Sequence, residues 1–227
     1  MNFPAQGSHP RPDRTARPAR APRQRRAAAT RERLYQAAMA EYGRVGLESA
    51  RVEDIVAAAG VSWGTFFHYF PAKEDVLLDA AGEVSRAYST AISAGLAAND
   101  DIESTLTTAF AEMQRAAVQV TDSAALRGRM LMYVLSHPGN LTAYLAEWDE
   151  ELLPPVPATT AVLADGQRRG EIRADEPAES LAVILLYSVL FSGRRSATIG
   201  RPPASTPLGR LALEIVLRGM RPVEAGH

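Results

Sequence analysis

Between Val52 and Pro71 the chain is punctuated twice, and the punctuation leaves few folds open. Val52-Glu53-Asp54-Ile55-Val56-Ala57-Ala58-Ala59 puts Ile55, Val56 and Ala59 on one face of a short helix. Gly60 follows where a left-handed C-cap is needed. Ser62 then N-caps a second short helix, Trp63 to Phe70, which Pro71 stops. Two short helices joined across Gly60-Val61 make a helix-turn-helix. The spacing of Ile55, Val61, Phe66 and Phe70 assigns these four to the core of a three-helix domain.

The flanking segments continue in the helical period. From Thr30, read as an N-cap, Leu34, Ala37, Ala38, Met39 and Tyr42 recur at three- and four-residue steps until Gly43 to Gly46. Lys73-Glu74-Asp75 opens a longer helix through Val76, Leu77, Ala80, Ala81 and Val84 towards Ala98, with Gly82 as a bend point. Further helices are expected over 101–121, 124–136, 140–152, 158–169, 178–199 and 207–220, separated by Pro-, Gly- and Asp-rich breaks. No strand alternation appears, so the fold class is all-α.

Residues 1–28 differ in kind. They carry five prolines and seven arginines, and Phe3 is their one aromatic residue. Such a segment buries too little to offset its ordering entropy, so we expect a disordered arm. Extended to Arg33, the stretch holds nine arginines against Asp13 and Glu32, a surplus of seven positive charges in a chain of net charge −1. From Leu34 to Asp79 the balance reverses, with three basic residues against seven acidic. Basic charge gathered at one end suggests a polyanion there. Cysteine is absent, which excludes disulfides and thiolate chemistry, and four scattered histidines give no metal-ligand spacing. Arg25-Arg26 is followed by alanines and another arginine rather than an apolar stretch, so no export signal is read there. The apolar run from Leu181 to Phe191 falls short of the roughly 18 residues that span a bilayer. We expect a cytoplasmic protein without membrane association, metal or cofactor.

Read as one string, Val52-Glu53-Asp54-Ile55-Val56-Ala57-Ala58-Ala59-Gly60-Val61-Ser62-Trp63-Gly64-Thr65-Phe66-Phe67-His68-Tyr69-Phe70-Pro71-Ala72-Lys73-Glu74, with the helix before it, resembles the DNA-binding region of the TetR family of bacterial repressors. The resemblance runs from Thr30 to Ala80 and reaches the rest only through helical layout and length. It implies an N-terminal three-helix helix-turn-helix domain and a C-terminal helical domain for ligand binding and dimerisation. The boundaries expected are an arm at 1–28, a DNA-binding domain at 29–75 and an effector and dimer domain at 76–227.

On this resemblance the second helix of the pair enters the major groove. Ser62 and Thr65 supply hydroxyls to phosphate or base, Trp63 packs on sugar or a thymine methyl, and His68 and Tyr69 donate to base or backbone. Lys73, the chain's one lysine, stands where the family binds phosphate. Three residues depart from the family pattern. Phe67 replaces a tyrosine, Trp63 replaces a small or charged residue, and Arg51 stands where a Ser or Thr caps the first helix of the pair. Arg51 is itself a candidate phosphate contact.

Leu181 to Tyr187 and the last helix are apolar on all sides, the mark of helices buried twice. Leu185, Leu186, Val189, Leu213, Val216, Leu217 and Met220 are therefore assigned to a four-helix interface between two copies, and a homodimer matches a palindromic double-stranded operator. Phe110, Met113, Met130, Tyr133, Tyr144 and Trp148 are candidates to line a pocket for an unidentified, largely apolar effector. An enzyme reading rests on Gly60-Val61-Ser62-Trp63-Gly64, which fits the G-x-S-x-G nucleophile elbow. That elbow needs a strand before its serine, and the alanine-rich segment before Ser62 reads as helix, so no catalytic residue is assigned. A helical ligand-binding or adaptor module without an operator is the other alternative.

Overall fold

A computed structural model describes residues 20–136, 155–198 and 207–222. Among the described residues every element is helical. The order is α1 (Arg20–Val45), α2 (Val52–Ala59), α3 (Trp63–Tyr69), a 3-10 turn (Lys73–Asp75), α4 (Val76–Ala98), α5 (Ile102–Val120), α6 (Ala124–Ser136), α7 (Pro155–Arg169), α8 (Ala178–Thr198) and α9 (Pro207–Gly219). The helix expected over 140–152 lies outside the described residues.

Local chemistry sets most of these limits. Gly60 takes φ 64°, ψ 42°, and its N–H closes α2 on the Ala57 and Val56 carbonyls. Ser62 is extended, and its Oγ accepts from the Thr65 N–H, satisfying one of the orphan donors of α3. Asp101 does the same for α5, its Oδ1 2.8 Å from Ser104 N. No side chain caps α2: Arg51 is the N-cap by backbone alone, and Glu53 and Asp54 sit in the first turn instead, where carboxylates favour the positive helix end.

The first helix departs most from expectation, because α1 starts at Arg20 and so takes in residues 20–28 of the expected arm. Pro22 falls in its first turn, where a missing N–H costs little, and Arg, Gln and Ala continue it as strong helix formers. Thr30 is consequently no cap. It lies inside α1, and its hydroxyl donates back to the Arg26 carbonyl at 2.9 Å.

Two cores divide the described residues. The first joins Leu34, Tyr35, Ala38 and Tyr42 of α1 to Ile55, Phe66, Phe70, Val76 and Leu77, and takes in Leu126 and Met130 from α6. The second joins Tyr88 and Ile92 of α4 to Leu106 and Phe110 of α5, Val162 and Leu163 of α7, and the inner faces of α8 and α9. Helix α4 runs unbroken through Gly82 and is common to both cores. Where α4 crosses α5, a Cβ on Gly95 would lie 2.6 Å from Thr105 Cγ2, so the crossing distance depends on the missing side chain.

Candidate nucleic-acid interface

Helix α3 has seven residues, too few to be stable alone. Its inner side, Phe66 and Phe70, is wholly buried, and this burial holds the helix in place. Its outer side carries Ser62, Trp63, Gly64 and His68, all exposed, with Thr65, Phe67 and Tyr69 half-buried. Trp63 is 55% exposed. Its ring lies 4.4 Å from that of Phe67, which meets Phe66 edge-on at 5.2 Å. The tryptophan is thus braced through Phe67 onto the core. Ser62 Oγ and Thr65 Oγ1 lie 2.7 Å apart, so each hydroxyl keeps only part of its bonding capacity for a ligand. His68 is set against the Tyr69 ring. These five expected contact residues, Ser62, Trp63, Thr65, His68 and Tyr69, share one short helix and its cap.

The cations behave differently. Arg51 is exposed, with only a loose 3.7 Å pairing to Glu53, a contact of little worth in water. Lys73 does not project outward: its ammonium donates to the carbonyls of Leu47 at 2.8 Å, Glu48 at 3.1 Å and Ala50 at 3.3 Å. An ammonium has three donors, and all three serve the loop that leads into α2. The phosphate role expected of Lys73 therefore gives way to a positioning one.

Two arginines counted with the basic arm are also engaged. Arg33 donates to the Ala59 carbonyl at the end of α2 at 3.2 Å. Arg31 grips both oxygens of Asp79 on α4, through Nε at 2.9 Å and Nη2 at 2.6 Å. Its Nη1 reaches the Tyr69 carbonyl at 3.3 Å, and its guanidinium lies 4.7 Å over the Phe70 ring. One side chain thus ties α1 and α4 to the end of α3. Arg31 was missed as a junction, yet a signal existed: Asp79 sits among the inward residues Val76, Leu77, Ala80 and Ala81, and a carboxylate there requires a cation. Arg25 and Arg26 remain exposed on α1.

Helix α6 also reaches this domain. Arg129 pairs with Glu48, and the Tyr133 hydroxyl donates to Asp75 at 2.5 Å; burial first, and that carboxylate next, push the phenol well above its ordinary range. The effector candidates divide accordingly. Phe110 and Met113 belong to the second core, with Phe110 5.2 Å from the Tyr88 ring, whereas Met130 and Tyr133 belong to the first. Tyr144 and Trp148 lie outside the described residues. A cleft of about 470 Å³ among Asp101, Ile102, Glu103, Glu171, Ile172, Leu217 and Arg221 includes none of them.

The dimer assignment needs correction. Leu185, Leu186, Val189, Leu213, Leu217 and Met220 are buried within the single chain, and Val216 is half-buried against the same core. Among the described residues, the large exposed apolar side chains of α8 and α9 are Val183, Ile184 and Tyr187, and Leu211 and Ile215. Apolar residues all round both helices gave periodicity no means of telling inner from outer. The elbow geometry is likewise absent, since Ser62 is preceded by α2 and serves as a helix cap. No described helix is long and apolar enough to cross a membrane.

Residues 34–80 match the family model of bacterial regulatory proteins of the tetR family. Over most of its length the chain is similar to FadR of Thermus thermophilus, a TetR-family transcriptional repressor solved with lauroyl-CoA. The two share 27% identity over 87% of this chain and 98% of that one, with a TM-score of 0.67. CprB from S. coelicolor A3(2), a TetR-family protein, shares 27% identity over 88% and 92% of the two chains at a TM-score of 0.54. RolR, solved with resorcinol, is 17% identical over 87% and 90% at 0.60, which is a likeness of fold. No curated protein sequence matches significantly.

Proposed function

Because the chain belongs, through residues 34–80, to the tetR family of bacterial regulatory proteins, we propose that it is a homodimeric repressor that holds a palindromic operator with two copies of α3 and lets go when a small molecule occupies its C-terminal domain. The observation that carries this reading is the two-sidedness of α3: Phe66 and Phe70 are buried to 0% exposure while Trp63 next to them stays 55% exposed. A seven-residue helix that spends its whole apolar side on holding position is built to present the other side. Regulators of this kind act by binding, and no catalytic step enters the reading.

Dimerisation falls to Val183 and Ile184 on α8 and to Leu211 and Ile215 on α9, which pack against one another in the chain and leave these side chains exposed. A second copy of the same surface covers them under twofold symmetry and sets two recognition helices on successive major grooves. The effector is a largely apolar small molecule, a choice supported by Phe110 beside Tyr88, with Met113 packed against the same core, and by the lauroyl chain of the lauroyl-CoA held by the Thermus FadR. Release follows if the occupied state favours a displaced α6, because Arg129–Glu48, Tyr133–Asp75 and the seating of Leu126 and Met130 transmit that displacement to the loop before α2 and the start of α4. An effector with equal affinity for both states shifts nothing.

The test is selection of bound fragments from the native genome with the full-length protein. Enrichment of a palindromic site is expected. A folded protein that enriches none sinks the proposal and leaves the adaptor reading.

A further inference from the structure

From Val52 through Ala72 the chain has no Arg, Lys, Asn or Gln. Those are the side chains that read guanine or adenine bidentately in the major groove. The helix-turn-helix therefore has no means of making the strongest base-specific hydrogen bonds. It presents instead a large aromatic ring at the first position of α3, 55% exposed. That ring is fixed in place: Phe67, one turn along, lies 4.4 Å from it and rests edge-on against the fully buried Phe66.

We propose that the Trp63–Phe67 pair is the direct-readout element of this protein, an aromatic wedge that selects half-site positions by contact with thymine C5 methyl groups. The inference rests on the operator-binding reading above and adds which chemistry is read. Thymine is the one base that offers an apolar group to the major groove, so it is the base an indole edge distinguishes. The polar groups beside the wedge fit a secondary part. Ser62 and Thr65 are hydrogen-bonded to each other at 2.7 Å, and a single hydroxyl serves any base or a phosphate. His68 stands on the neighbouring strip of the helix with one imidazole. Bracing by Phe67 lowers the rotamer entropy that Trp63 loses on binding.

The experiment replaces each thymine of the selected operator, one at a time, by deoxyuridine, which keeps the base pair and removes only the methyl group. Wild-type protein is expected to lose about fourfold in affinity at one or two positions of each half-site, the worth of one buried methyl. Trp63→Ala, at an exposed site, is expected to fold normally by circular dichroism, to bind the thymine operator at least tenfold more weakly, and to show no deoxyuridine penalty. Full-strength wild-type binding to every deoxyuridine operator overturns the wedge while leaving operator binding intact. An equal deoxyuridine penalty in Trp63→Ala also overturns it, by placing the methyl contact elsewhere. Failure of the wild type to bind any selected duplex overturns both readings together.

Discussion

Arg31 joins three elements with one side chain. Its bidentate grip on Asp79, which is 7% exposed, means that Arg31→Met leaves a buried carboxylate without its partner, at a cost of about 3 kcal/mol. Arg31→Met with Asp79→Leu is expected to recover most of that loss in denaturant titrations, because an ion pair taken out whole leaves no stranded charge. Arg31→Lys is not expected to recover it, since an ammonium cannot span both carboxylate oxygens and the Tyr69 carbonyl. An Arg31→Lys protein as stable as wild type counts against the junction. Lys73 makes the opposite kind of claim. With its donors on Leu47, Glu48 and Ala50, Lys73→Met is expected to lower stability by about 1–3 kcal/mol and to leave the slope of log affinity against log salt unchanged. A slope smaller by about one shows a phosphate contact after all. Neither role was visible in composition, where both residues count simply as positive charge.

Among the elements, α4 and α5 show how a single position fixes a helix crossing. Glycine inside a helix is unfavourable by up to about 1 kcal/mol relative to alanine, and Gly95 is tolerated because Thr105, itself buried, fills the space its Cβ would take. Gly95→Ala is therefore expected to lower the thermal midpoint despite the better helix former, by an overpacking cost of about 1–3 kcal/mol. A raised midpoint refutes the close approach. The caps at Gly60 and Ser62 were legible in the sequence because capping depends on neighbours three or four residues away. The start of α1 was not, because arginine and proline suggest disorder by composition while the same residues permit a helix locally. The membership of α6 in the first core had no local signal, since Met130 and the helix-turn-helix it meets are far apart in the chain.

For the whole molecule, Tyr35, Tyr42, Tyr88 and Tyr133 all have their phenol ionisation pushed above the ordinary value near 10, burial being the first cause in each. A raised folded value gives a contribution that is fully present below about pH 10 and is lost as pH climbs above it. Four of the seven tyrosines are thus expected to resist titration by phenolate absorbance until the protein unfolds, and early titration of all seven refutes this. The dimer is tested at the same scale. Ile215, 60% exposed, and Ile184, 54% exposed, are expected to yield a folded monomer on light scattering when both become Glu, with operator affinity reduced at least a hundredfold. A stable Ile184→Glu/Ile215→Glu dimer moves the interface elsewhere.

The sequence by itself determined the helical class, the caps at Gly60 and Ser62, the helix-turn-helix and the aromatic character of its outer face, because each depends on residues within about one turn of one another. Tertiary structure decided which apolar face of α8 and α9 is spent inside the chain and which is left exposed. It also decided which cations remain available to a polyanion. Leu185 and Ile184, or Arg31 and Arg26, are alike to any local pattern. Their burial and partners depend on residues tens of positions away, such as Asp79 for Arg31, and only the folded chain brings these together.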